Sequence, residues 1–307
     1  MKKLIFSFIL IGSLLATFGC HTYSLAQQDP EPLPSFDPPK NPPKIALVLG
    51  GGGAKGLAHV GVLRELEQAG IHPDFIVGCS SGAIIGALYA DQPDVNRLED
   101  LLLDLRRNDL IDFSLFASRF GVVKGNTLEN FLHENLQGSF FDSLKIPLVV
   151  VATDLHTGEL IELGGGLLIP ALSGSAAVPG VFKPVPYLGR YLIDGGAVDP
   201  VPVRIAKKYG AQVIIAVDVG EKLSQKEPFH FFGIAKRGLE ISYRQLAKES
   251  VRDADIVLKM NFEGLGMFSD RHNQEIYDQG RQKVREFLPQ IEKIIAEKTV
   301  SLPPFGK

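Results

Sequence analysis

The sequence predicts an α/β fold in which a mainly parallel sheet is covered by helices. Three observations lead there. Short, continuous apolar runs at residues 45–49, 148–152 and 213–217 have the length and composition of strands buried on both faces. Glycine-rich turns follow the runs at 45–49 and 75–77 and lead straight into helical patterns. The strand, turn and helix then repeat, as parallel strands joined by crossover helices require.

Taken in order, residues 1–26 read as a secretory signal. Lys2 and Lys3 precede an apolar run, residues 4–18, that is short for a membrane span and is interrupted by Ser7, Gly12, Ser13 and Thr17. Cleavage before Cys20, directly after Gly19, would leave an acylated lipoprotein on a membrane. Cleavage after Ala26, where Ser24-Leu25-Ala26 supplies small residues, would leave a periplasmic or secreted protein. Either route predicts export from a bacterial cytoplasm. Residues 27–43 carry Pro30, Pro32, Pro34, Pro38, Pro39, Pro42 and Pro43 and read as an extended tether, so the fold is expected to start at Lys44.

Past the strand at 45–49 and its glycine run, residues 57–69 show Val60, Leu63 and Leu66 on one helical face, with Gly70 as the stop. Phe75, Ile76 and Val77 make the next strand, and a small-residue helix follows at 83–90. Asp94 is placed to cap a helix carrying Val95, Leu98, Leu101, Leu102 and Leu105. Residues 256–260 form a last strand. Residues 274–297 form a last helix with Val284, Phe287, Ile291 and Ile294 along its apolar face. Residues 44–218 hold every motif and form the expected catalytic domain. Residues 219–307 are a C-terminal extension expected to pack on it.

Composition narrows the function. A chain of 307 residues with 45% hydrophobic residues buries a full core, and a formal net charge of -3 offers nothing to a polyanion. No nucleic-acid motif is present. The two cysteines, Cys20 and Cys79, exclude a disulfide framework, and Cys79 reads as a small buried filler. The histidines at 72, 133, 156, 230 and 272 lack metal-ligand spacing, so no metal and no cofactor is expected.

Three motifs carry chemistry. Gly50-Gly51-Gly52-Gly53-Ala54-Lys55-Gly56 can present several backbone N–H groups to one anion. A phosphate-binding Walker loop needs Gly-Lys followed by Ser or Thr, and Lys55-Gly56 reverses that order. A dinucleotide site needs an acidic residue closing the next strand, whereas Asp74 precedes it. Gly78-Cys79-Ser80-Ser81-Gly82 has the Gly-x-Ser-x-Gly pattern that exposes a serine where a strand turns sharply into a helix. Asp194, after Tyr191-Leu192-Ile193 and before Gly195-Gly196, is an acid at a strand end. Together they supply an anion cradle, a nucleophile and a base, the parts of serine-dependent acyl transfer. An α/β-hydrolase would add a histidine after its acid, and His230 or His272 satisfies that order, but its usual His-Gly-Gly oxyanion loop is missing. His59 reads as a packed residue. Residues 110–123, and Phe229, Phe231, Phe232 and Ile234 ahead of Lys236 and Arg237, have the aromatic and basic character of a lipid interface, or of ordinary core helices.

In its ordered motifs the chain resembles the patatin-like phospholipases, and bacterial patatin-like esterases in particular. The glycine run continues into Ala58-His59-Val60-Gly61-Val62-Leu63. After the serine elbow come Thr153-Asp154-Leu155 with Thr157-Gly158-Glu159, and Ser175-Ala176-Ala177-Val178-Pro179-Gly180-Val181-Phe182 with Pro184. Asp194-Gly195-Gly196 with Pro200, Pro202 and Val203 completes the set. The resemblance implies a three-layer α/β/α fold and a Ser–Asp dyad without histidine. Ser80 would be the nucleophile, Asp194 the general base, and Gly51, Gly52 and Gly53 the oxyanion donors. Gly56, Gly78, Gly82, Gly195 and Gly196 would support the motifs. It further implies a phospholipid or other fatty-acyl ester as substrate, at a membrane surface. The alternatives are a general carboxylesterase or thioesterase on the same pair, and an envelope lipid-binding protein without turnover.

Overall fold

The computed structural model describes residues 29–36, 41–106, 125–220, 231–262 and 272–299. The signal segment with Cys20, the interface stretch at 110–123, Phe229 and His230 lie outside the described residues. Among the described residues no helix is long and apolar enough to cross a membrane.

The first half runs β1 (Ile45–Leu49), a 3-10 turn (Gly53–Gly56), α1 (Leu57–Gln68), β2 (Phe75–Cys79), α2 (Ser81–Asp91), α3 (Val95–Leu102), α4 (Asn126–Asn135) and β3 (Leu148–Asp154). The second runs β4 (Leu160–Leu163), α5 (Leu168–Ser175), β5 (Val185–Tyr187), β6 (Arg190–Asp194), α6 (Val203–Lys208), β7 (Val213–Asp218), α7 (Phe231–Ser250), β8 (Ile256–Lys259) and α8 (Asn273–Thr299). The strands form one sheet in the order β5-β6-β3-β2-β1-β7-β8, with β4 also paired to β3. The strands from β3 to β8 in that order are parallel, and β4 and β6 run antiparallel to β3.

Alternation along the strands builds two cores. Leu47, Leu49, Ile76, Val150, Ile215 and Val217 face a layer that holds α1, α2, α3, α5 and α8. Ala46, Val48, Val77, Cys79, Val151 and Ala216 face Val203, Ile205 and Ala206 of α6 and Ala247 of α7. With apolar residues on both faces, these strands are the continuous runs seen in the sequence, and the molecule has three layers. Cys79 is fully buried in the second core.

Asp94 caps α3, accepting the Asn96 N–H at 2.9 Å. Gly70 ends the α1 turn with φ +70°. The helix α8 lies across α1 so closely that a Cβ at Gly280 would sit 2.1 Å from the Ala58 carbonyl oxygen, and one at Gly61 would sit 2.1 Å from that of Tyr277. Glu65 of α1 clamps the crossing through Arg281 at 2.6 Å and Arg285 at 2.8 Å.

Within the Pro-rich stretch read as an extended tether, residues 29–36 are seated on the domain. The Phe36 ring lies 4.8 Å from Tyr209 and 5.6 Å from Phe75, and the Glu31 N–H donates to the Leu188 carbonyl at 3.1 Å. Prolines hold the segment extended in advance, so a few side-chain anchors suffice to dock it.

Candidate active site

Sheet register brings the serine and the aspartate together. Residues 150–151 of β3 pair with both β2 and β4, and residues 152–153 pair with both β4 and β6. A strand has two edges, so β2 and β6 share one edge of β3. There β2 ends at Cys79, opposite Val151, and β6 ends at Asp194, opposite Ala152. The chain leaves β2 through Ser80 at the point where β6 delivers Asp194.

Ser80 has φ 54° and ψ −123°, a strained combination for a non-glycine residue, and α2 begins at the next residue. The flanking glycines are required by contact. A Cβ at Gly82 would be 2.2 Å from the Leu49 carbonyl oxygen, and one at Gly78 would be 2.5 Å from the Ala83 Cα. The Ser80 N–H donates to Ser175 Oγ at 2.9 Å, and that hydroxyl donates to the Val151 carbonyl at 2.7 Å. Ser175 of α5 thus bolts the elbow to β3.

Asp194 is buried, and its Oδ1 accepts the Gly196 N–H at 2.7 Å. The Ser80 side chain favours the charged form of this carboxylate, and Cys79 Sγ is 3.9 Å away. Burial pushes the Asp194 pKa up to about 6, against the opposing hydrogen bonds from Ser80, Gly196 and Cys79. The group is still ionised at neutral pH and is a stronger base than a solvated aspartate. Gly195 allows the turn to lie against β3, because a Cβ there would be 2.4 Å from the Val151 carbonyl oxygen.

The glycine run is tied down plane by plane. Gly50 N–H donates to the Val217 carbonyl, and the Gly50 carbonyl accepts from His59 Nε2 at 2.8 Å. Gly51 N–H donates to the Pro200 carbonyl at 3.0 Å, and the Gly51 carbonyl accepts from the Tyr243 hydroxyl at 2.5 Å. Gly52 N–H reaches Ser81 Oγ at 3.2 Å. Gly53 opens the 3-10 turn, so its N–H has no carbonyl ahead of it within that turn. Of the three glycines expected to present donors, Gly51 therefore has its N–H bonded to a backbone carbonyl and Gly52 to a side-chain hydroxyl, while Gly53 lines the cavity. Gly56 permits the turn to touch α2: a Cβ there would be 2.7 Å from that of Ser81.

Ser80 and Ser81 open onto a cavity of about 160 Å³ whose walls include Leu57, Ile84, Leu102, Leu128, Phe131 and Phe182. An apolar wall over a serine beside the glycine turn suits a hydrocarbon chain ending in an ester. His59 is fully buried behind the glycine run, and burial lowers its pKa to about 4, so it is neutral. His72, His133, His156 and His272 are exposed at the surface. Among the described residues no His, Cys, Asp and Glu cluster could hold a metal ion.

The profile of the patatin-like phospholipase family matches residues 47–207, from β1 through the serine elbow and Asp194 into α6. The chain belongs to the patatin-like phospholipase family. A putative patatin-like phospholipase domain-containing protein of Caenorhabditis elegans is 33% identical over 183 residues, which cover 57% of this chain and 17% of that protein. An uncharacterized NTE family protein of Mycobacterium tuberculosis is 33% identical over 183 residues, covering 58% of this chain and 49% of that one. The chain thus spans half or less of the length of these patatin-like relatives. Among solved structures, VipD from Legionella pneumophila superposes with a TM-score of 0.57 at 14% identity, covering 88% of this chain and 72% of that one, a likeness of fold. Two residues of this patatin-like site were not legible as such. Ser175 lay within a family motif but carried no role, and Tyr243 is an unmarked aromatic in a helix.

Proposed function

We propose that the chain is an exported serine lipid acyl hydrolase of the phospholipase A or lysophospholipase type. The observation that carries this reading is Ser80, held on a strained elbow where it favours the charged form of the buried Asp194, in the lining of an apolar cavity. In the mechanism, Ser80 Oγ attacks the ester carbonyl carbon and its proton passes to the Asp194 carboxylate. The oxyanion is received by the N–H groups of Gly52 and Gly53, helped by the α2 N-terminus. Collapse breaks the ester bond, and the leaving alcohol takes the proton from Asp194. Water, deprotonated by Asp194, then attacks the acyl-enzyme; as the acyl–oxygen bond breaks, Asp194 returns that proton to Ser80 Oγ and the fatty acid leaves. Export through the N-terminal signal, with cleavage before Cys20 and acylation of that residue, would place this chemistry at a membrane surface where fatty-acyl esters are present.

A fluorophosphonate probe tests the reading. Wild type should be labelled and Ser80→Ala should not. Absence of labelling in folded wild type, or equal labelling of both, would overturn it. A phospholipid, lysophospholipid and simple-ester panel assayed by mass spectrometry separates a lipid hydrolase from a general carboxylesterase or thioesterase, since the latter would turn over short esters and leave phospholipids intact.

A further inference from the structure

We propose that Tyr243 is a positioning residue for the oxyanion hole, acting through the peptide plane between Gly51 and Gly52. The inference rests on the serine hydrolase reading above. Gly51 carbonyl can only accept, so the 2.5 Å contact is a donation from the Tyr243 hydroxyl. Burial raises the Tyr243 pKa well above its ordinary value, so the group stays protonated and remains a donor. A trans peptide is planar, and its C=O and N–H point in opposite directions. Holding the Gly51 oxygen towards α7 therefore aims the Gly52 N–H the other way, towards Ser81, which lines the cavity.

The lock is needed because of what flanks this plane. It joins two glycines, the residues that resist a peptide flip least. Its far end is held only by Ser81 Oγ at 3.2 Å, a contact that an arriving oxyanion has to displace. The plane before it is fixed independently, by His59 on the Gly50 carbonyl and by Pro200 on the Gly51 N–H. Tyr243 thus supplies the missing restraint at the donor itself. The same ring packs against the base: a Cβ at Gly196 would be 2.7 Å from a Tyr243 ring carbon, and Gly196 N–H is the group bonded to Asp194. One side chain from the C-terminal part of the chain braces both the donor loop and the aspartate turn, without touching the cavity.

Steady-state kinetics of Tyr243→Phe test this role. The substitution removes one oxygen and keeps the ring on Gly196. Deleting an oxyanion donor outright costs about 10²–10³ in kcat, so releasing one should cost roughly 10-fold. Because an oxyanion forms only in the transition state, KM for the ester should stay within about 2-fold. Affinity for a trifluoromethyl ketone, whose adduct with Ser80 carries an oxyanion, should fall by the same factor as kcat. Tyr243→Met gives a second side chain without a hydroxyl, and circular dichroism decides which variant is folded and read. Wild-type kcat in a folded variant, or a kcat loss with unchanged ketone affinity, would overturn the positioning role. Ser80→Ala is measured alongside. If it is inactive while Tyr243→Phe is normal, only the Tyr243 role fails. If Ser80→Ala still hydrolyses the ester, the serine reading fails and this role with it.

Discussion

Two buried titratable side chains flank the glycine run, and burial shifts them in opposite directions. His59 falls to about 4 and Asp194 rises to about 6. Between pH 6.5 and 4 the unfolded chain protonates its histidine while folded His59 does not, so acidification costs stability. Between pH 6 and 3.8 folded Asp194 takes a proton that the unfolded carboxyl does not, so acidification adds stability. Each effect is on the order of 3 kcal/mol, and over the shared interval they largely offset one another. Asp194→Asn removes one side of that balance. The variant should be more stable than wild type at pH 7 and should lose stability more steeply down to pH 4, as urea unfolding would measure. An Asn variant less stable than wild type at pH 7 would mean that burial does not burden the carboxylate. In wild type, kcat/KM should decline below about pH 6 as the base is protonated.

At the scale of elements, the legible ones were those with two distinct faces or with two buried ones. The apolar stripes of α1 and α8 and the runs of β1, β3 and β7 gave period and length directly. The helix α5 did not, because Leu168, Ile169, Ala171, Leu172, Ser173, Gly174 and Ser175 are all buried and leave no polar face to set a period. The strands β4 and β5 were missed because four and three residues are too few for an alternation to register. The stretch around Ile234 and Arg237, read as a lipid interface or an ordinary core helix, belongs to the helix α7, where Ile234 is exposed while Tyr243 and Ala247 turn inwards. Helix crossings make a sharp prediction. Gly280→Ala presses a methyl into α1 and should cost about 1–3 kcal/mol. Gly238, on α7, has nothing within 4 Å of where a Cβ would stand, so Gly238→Ala should instead stabilise by up to about 1 kcal/mol. Thermal melts of the two variants should move in opposite directions, and parallel shifts would contradict the packing described at the α1–α8 crossing.

For the whole molecule, the order of glycine run, serine elbow and aspartate turn was visible in the sequence because each motif sits at a strand end. Their meeting was legible only through the family resemblance, since it depends on β6 running antiparallel into the edge that β2 leaves short, and nothing in residues 190–194 specifies that pairing. The seating of residues 29–36 was hidden for a similar reason: Phe36 finds its partners at Phe75 and Tyr209, far along the chain.

The shared edge of β3 also has a consequence in time. Cys79 and Asp194 are 115 residues apart in sequence, and the loop between them must close before serine and aspartate can meet. Contacts of such separation form late, because their closure entropy is unrewarded until the intervening strands are in place. During refolding from denaturant, far-ultraviolet ellipticity should therefore recover before reactivity towards a fluorophosphonate does. Identical rates for the two signals would mean that β6 docks on β3 as early as the helices form.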